Sequence, residues 1–180
     1  MMPEKIARSG QPLPALMAAL AALPYHALPC PKALGNEWVR NELWPVVEHF
    51  PAPVQDKLHT FCLFVATEIR RVLVATAQQA ARPSGPLQVL VTGGGTHNHF
   101  LLDCLNTHIH GLQSATSKAD DERYPLSFKA AEAQTADLKE AALVALCALH
   151  RVLGVPNALA SATGARFDTC NGALYLPPPA

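Results

Sequence analysis

The run Leu87 to Thr92, followed at once by Gly93-Gly94-Gly95, constrains this chain more than any other feature. LQVLVT is short, apolar and rich in β-branched residues, and turn formers bound it, so it reads as a buried strand. Three consecutive glycines let the backbone turn and approach a ligand, since no Cβ stands in the way. Asn98 can then cap a helix with Phe100, Leu101, Leu105 and Ile109 on one face. The carboxyl end of a strand is where open α/β sheets bind ligands. The free N–H groups of a following helix suit phosphate oxygens. Gly93, Gly94, Gly95 and Asn98 are therefore the candidate binding residues. The alternative is a tight strand-to-helix turn with no ligand. The run is neither Gly-x-Gly-x-x-Gly nor a P-loop, because no Gly-Lys-Ser/Thr follows it.

The flanking pattern is mostly helical. Leu13 to Leu23 predicts a short helix stopped by Pro24. Asn36 can cap a helix through Trp38, Val39, Leu43 and Trp44, with a break or kink near Pro45. Pro53 opens the clearest element, in which Val54, Leu58, Phe61, Cys62, Val65, Ile69 and Val72 recur at intervals of three and four. That helix should end before Pro83. Tyr124 to Lys129 predicts a second strand beside the first. Asp137 can cap the next helix, with Glu140 in a capping-box position. This helix is apolar over most of its surface between Ala141 and Leu153, which predicts burial on more than one side, and Gly154 suits its C-cap. Residues 1–12 read as loosely ordered, 13–176 as a single domain and 177–180 as a frayed tail. The fold class is α/β with helices dominant and a small sheet. Two strands are marginal alone, which points to a piece of something larger or to an obligate assembly.

Composition removes several function classes. The hydrophobic fraction of 49% excludes global disorder. Lys plus Arg number 14 and Asp plus Glu 14, so the formal net charge is zero. A balanced chain is a poor nucleic-acid binder, because phosphate affinity comes from clustered cations. No apolar run reaches the ~18 residues that span a bilayer. Met1 and Met2 precede Pro3, Glu4 and Lys5, not a basic segment and an apolar stretch. No signal peptide and a cytoplasmic location are the expectation. The five cysteines are odd in number and widely spaced, which argues against a disulfide framework and a structural zinc site. His97, His99, His108 and His110, with Asp103 and Cys104, invite a metal reading. Their spacing lacks the usual ligand pattern, and histidines two apart do not share a helix face. Solvated or capping histidines are expected, and no metal site is assigned.

VTGGGTHNHFLLDCL resembles the adenosine motif of the acetate and sugar kinase, Hsp70 and actin superfamily, and most closely the C-terminal half of anhydro-N-acetylmuramic acid kinases. Three further stretches agree, in family order. Pro31-Lys32-Ala33-Leu34-Gly35-Asn36-Glu37 resembles the family's Pro-Lys-Ser-x-Gly-Arg-Glu segment, with Ala33 in place of Ser and Asn36 in place of Arg. Asp137 to Ala141 resembles its Lys-Glu-Ala helix start. Thr163-Gly164-Ala165-Arg166 and Gly172-Ala173-Leu174-Tyr175 resemble its ending.

The resemblance implies an actin-like ATPase fold, ATP with Mg2+, and phosphorylation of an amino sugar with opening of its 1,6-anhydro ring. It gives Gly93, Gly94, Gly95 and Asn98 to the nucleotide, and makes Glu140 a possible sugar-side contact; a capping glutamate is the other reading. The family's first phosphate loop, Gly-Thr-Ser-x-Asp-Gly, and its general-base aspartate are not in this sequence. No catalytic residue is therefore assigned. The chain is expected to be incomplete for catalysis alone and to bind a separately encoded N-terminal half or to self-associate. A catalytically inactive interaction module descended from such a kinase is the alternative.

Overall fold

The computed structural model describes residues 3–28, 32–80, 84–107 and 122–175. The chain divides into two units, one running to Ala131 and one starting at Glu132.

The first unit is built around one long helix. Helix α1 (Pro3–Arg8) and helix α2 (Pro14–Ala21) precede a short 3-10 turn at Pro24–Ala27. Helix α3 (Asn36–Trp38) runs through a π-helical stretch at Val39–Leu43 into α4 (Trp44–His49). Of the break or kink expected near Pro45 there is no break: the helix runs on and widens just before it. Pro45 has no N–H for the Asn41 carbonyl, and the wider turn absorbs the lost bond. Gly35, not Asn36, occupies the N-cap, and no side chain caps this end.

Helix α5 (Val54–Gln79) has 26 residues and buries Thr60, Cys62, Leu63, Phe64, Ala66 and Val74. Its start follows from Pro53, whose missing N–H costs nothing at a helix N-terminus. Leu16 and Leu20 of α2 are completely buried, each contributing about 1.5–3 kcal/mol over an exposed position. Thr60 fixes the entry to α2: its hydroxyl accepts from the Leu13 N–H at 2.9 Å and donates to the Asp56 carbonyl at 2.7 Å. Pro3–Arg8, within the stretch that polarity reads as loose, forms helix α1, and its Ala7 is buried.

Strand β1 (Leu87–Val91) pairs in parallel with β2 (Leu126–Ala130), in a register that sets Val89 opposite Phe128. Helix α6 (His99–Asn106) lies between them in sequence. Ile109, expected on its apolar face, lies outside the described residues. Burial alternates along both strands. Leu126 and Phe128 are buried, whereas Leu90 is 64% exposed. The buried strand expected from LQVLVT is thus half-buried on one face, at Leu87, Val89 and Val91, and exposed on the other. Parallel strands normally have both faces covered. Asn106 holds β2 from α6: its amide donates to the Phe128 carbonyl at 3.0 Å and accepts from the Phe128 N–H at 2.9 Å.

The second unit holds helix α7 (Ala133–Leu153), a short helix α8 (Ala160–Thr163) and an antiparallel bridge between Ala158 and Thr169. Gly154 ends α7 at φ +68°, the left-handed C-cap its sequence suggests. Glu132 stands at the N-cap, so Asp137 lies inside the helix and does not cap it. The surface of α7 departs from expectation. Among its described residues only Ala136 is buried. Leu138, Leu143, Val144, Leu146, Leu149, Val152 and Leu153 are all exposed. Helical periodicity states what a helix can bury, not whether a partner surface is there.

Candidate functional site at the glycine turn

The turn after β1 is shaped by one unusual backbone position. Gly93 sits at φ +89° and ψ −177°, a region that essentially only glycine occupies. Gly94 to His97 then make one 3-10 turn, locked by Thr96. The Thr96 N–H donates to the Gly93 carbonyl at 2.9 Å, and its hydroxyl donates to the same oxygen at 2.8 Å. Gly94 and Gly95 are exposed, and a Cβ built on either meets nothing within 4 Å. Positive φ is therefore the reason for glycine at 93, but not at 94 or 95. Those two leave open space in front of a backbone whose first N–H groups have no intrahelical acceptor.

Asn98 is the N-cap of α6, as its position in the sequence indicates. Its Oδ1 accepts from the Leu101 N–H at 3.0 Å, and its amide nitrogen lies 3.9 Å from Cys62 Sγ on α5. The adjacent His99 N–H donates to the Glu4 carboxylate of α1 at 3.0 Å. An anion of the chain itself thus already sits at this helix N-terminus, where the dipole favours it. Arg8 and Asp103 form an ion pair that ties α1 to α6 a turn further on. Both contacts bridge 95 positions in sequence, and no local pattern signals them.

The remaining expected residues are more dispersed. Glu140 lies in α7, exposed, seven residues beyond the Ala133 start, too far along for capping. It belongs to the second unit and Gly93 to Asn98 to the first. Cys104 is buried, and desolvation pushes its thiol up to about 12, with smaller pushes from Cys62 and Asp103. Burial likewise raises Cys62, against the pull of Asn98. Neither is a ready metal ligand or nucleophile. His108 and His110 lie outside the described residues. Among the described residues no group of three His, Cys, Asp or Glu could hold a metal ion. The space before Gly94 and Gly95 is open, and the described residues offer no carboxylate cluster for Mg2+. Among them, no helix is long and apolar enough to cross a membrane.

Sequence reasoning missed a second polar grouping, next to Lys32. Glu68 Oε2 accepts from Arg71 Nη2 at 2.8 Å and Arg71 Nε at 3.1 Å, and His26 Nδ1 stands 3.4 Å from it. Lys32 donates to the carbonyls of Tyr25 and His26 at 3.0 and 3.4 Å and stands over the Tyr25 ring. The Glu68–Arg71 pair, three apart on one helix, and Lys32 of the Pro31–Glu37 segment had a signal in the sequence, but their meeting with His26 had none.

These features define a helix-rich α/β protein that presents an open glycine turn at the carboxyl end of a parallel strand. The family model described as anhydro-N-acetylmuramic acid kinase matches residues 3–177, and the chain belongs to that family. It is 34% identical to the anhydro-N-acetylmuramic acid kinase of Variovorax paradoxus over 94% of this chain and 41% of that protein. It is 28% identical to the enzyme of that name from Streptomyces coelicolor, over 97% of this chain and 42% of the relative. For the Aliivibrio fischeri protein the figures are 29%, 94% and 42%. The chain thus spans about two fifths of the length of the relatives it matches.

Proposed function

We propose that this chain is the C-terminal, nucleotide-binding part of an ATP-dependent kinase that phosphorylates anhydro-N-acetylmuramic acid and opens its 1,6-anhydro ring. On this reading residues 13–176 act as one domain of an actin-like kinase in the cytoplasm. Gly94 and Gly95 give the phosphate chain close backbone approach, and Gly93 sets the turn that aims their N–H groups outward. Asn98 keeps the start of α6 in place, and Glu140 faces the sugar. The observation that carries the reading is the open glycine turn in a chain of this family. When bound, ATP with Mg2+ supplies the transferred phosphoryl group.

Phosphoryl transfer depends on positioning and charge stabilisation around an in-line attack. Nothing in this chain is assigned as the base, so the opposite wall of the cleft must come from a second polypeptide or from further sequence. Closure of two halves would then exclude water. The exposed apolar side chains of α7 are consistent with such a partner. They equally suit the alternative, an inactive interaction module derived from the kinase.

Calorimetric titration with ADP tests binding, and a radiolabelled-ATP assay tests turnover. The chain alone should bind ADP near 1 mM, about 4 kcal/mol, and should not turn over. Adding the complementary three fifths of the Variovorax relative should restore phosphorylation of the sugar. ADP binding without any restored turnover would favour the inactive module. No ADP binding with or without the added part would refute the nucleotide assignment.

A further inference from the structure

A cavity of about 630 Å³ lies wholly within the first unit, between α5 and residues of 25–26 and 32–43. It is on a different face of α5 from the glycine turn. Cys62 and Arg70 of α5 reach Asn98 and the Leu105 carbonyl on the α6 side, whereas Phe61, Val65, Glu68, Ile69 and Val72 line the cavity. Its volume falls in the range of small-molecule sites, which are largely apolar with a few convergent polar groups. At roughly 30 Å³ per water-sized group, it has room for about 20 non-hydrogen atoms.

The walls favour a flat ligand. Tyr25 and Trp38 stand with ring centroids 5.0 Å apart, and Phe64 meets the His26 ring edge-on at 5.3 Å. Leu34 and Val72 are about half exposed and form the mouth, while Phe64 and Leu43 are buried. Lys32 stands over the Tyr25 ring and Trp38 lies beside it, so these rings meet a planar ligand by edge contact.

The polar end selects against charge. Glu68 and Arg71 neutralise one another, and Lys32 is held by two carbonyls and the Tyr25 ring. A cationic ligand would lose its hydration without gaining an uncommitted counter-ion, and an anion would have to draw Lys32 from its two carbonyls. What the cluster offers is a directional acceptor. The contacts to Glu68 all converge on Oε2, and among the described residues no hydrogen bond reaches Oε1.

We propose that this cavity binds a neutral, planar heteroaromatic ligand that packs by edge contact against Tyr25, Trp38 and Phe64 and donates a ring N–H to Glu68 Oε1. This assignment does not depend on nucleotide binding at the glycine turn. Trp38 and Trp44 are the chain's two tryptophans, and Trp44 does not line the cavity. The Trp38 indole N–H signal in a nitrogen-15 correlation spectrum, assigned as the one kept in Trp44→Phe, therefore reports on the site.

The full chain is titrated with 2-quinolinone, with N-methyl-2-quinolinone, which lacks the N–H, and with 2-naphthoate, which carries a charge. The expected result is a saturable Trp38 shift with 2-quinolinone and at least tenfold weaker binding of the other two. Val72→Phe, which narrows the mouth at an exposed position, should weaken 2-quinolinone at least tenfold with the spectrum otherwise intact. Equal binding of the N-methyl compound would overturn the Glu68 contact, and tighter binding of 2-naphthoate would overturn the neutral class. No Trp38 shift with 2-quinolinone up to its solubility limit, or unchanged binding in Val72→Phe, would overturn the site itself.

Discussion

Substitutions across the glycine turn separate what the backbone requires from what a ligand requires. Gly93 holds φ +89° and ψ −177°, so Gly93→Ala forces a side chain into a region reserved for glycine, at a cost of about 1–3 kcal/mol. Gly94 lies in the 3-10 turn, and an added Cβ there meets nothing within 4 Å. Gly94→Ala should leave stability unchanged or raise it by up to about 1 kcal/mol, by narrowing the unfolded ensemble. In a chain of this size 1 kcal/mol moves Tm by about 2–4 °C. Gly93→Ala should therefore melt several degrees below the parent and Gly94→Ala at or above it. Circular dichroism, recorded without nucleotide, gives both values. Gly94→Val then fills the open space before the turn without strain in the fold. Its Tm should stay near that of the parent, and its ADP heat should vanish in calorimetry. If Gly93→Ala and Gly94→Ala melt alike, the strain is not where the backbone angles place it. If Gly94→Val keeps the parent's Tm and the parent's ADP binding, the turn is a structural corner and no nucleotide lies against it.

Gly10→Ala should destabilise by about 1–3 kcal/mol, because the new Cβ would stand 2.1 Å from the Gln55 carbonyl oxygen and backbone cannot swing aside; an unchanged chemical-denaturation midpoint would contradict this. Asn106→Ala strips both hydrogen bonds from Phe128 and should cost about 1–3 kcal/mol, with faster amide exchange confined to β2. The Cys104 thiol keeps its proton to about 12 in the fold against 9.0 for an ordinary thiol. The unfolded chain therefore loses that proton first, and this contribution to stability, complete below pH 9, falls as pH rises from about 9 to 12; Cys104→Ala should flatten that part of the stability profile. Val144→Glu paired with Leu149→Glu, both at exposed positions of α7, should reduce light-scattering mass or abolish capture of the complementary kinase half while leaving Tm within about 2 °C.

Local chemistry was legible in the chain where the cause is local. The three-four spacing from Val54 to Val72 announced α5 as a helix, but not its buried face. Of that stripe only Cys62 is buried, Val54, Ile69 and Val72 are exposed, and Thr60, Leu63, Phe64, Ala66, Arg70 and Val74 are buried instead. Asn98 announced the start of α6, since a short polar side chain can accept the helix's first N–H groups. Gly154 announced the end of α7 for the matching reason, that only a residue without Cβ turns left-handed cheaply. The glycine turn was visible as a turn, and the four ordered motifs carried the family.

The tertiary structure decided whatever depends on residues far apart in the chain. It assigned the strained backbone to Gly93 and the open space to Gly94 and Gly95, a division that three identical letters cannot express. It brought Glu4 to the His99 N–H and Arg8 to Asp103 across 95 positions. It gathered His26, Glu68 and Arg71 with Lys32 of the Pro31–Glu37 segment around one cavity. It left the apolar side chains of α7 and Leu90 of β1 exposed, although their sequences call for burial. Propensity, capping and turn chemistry act over a few bonds and can be read from neighbours, whereas burial depends on which surface arrives from elsewhere.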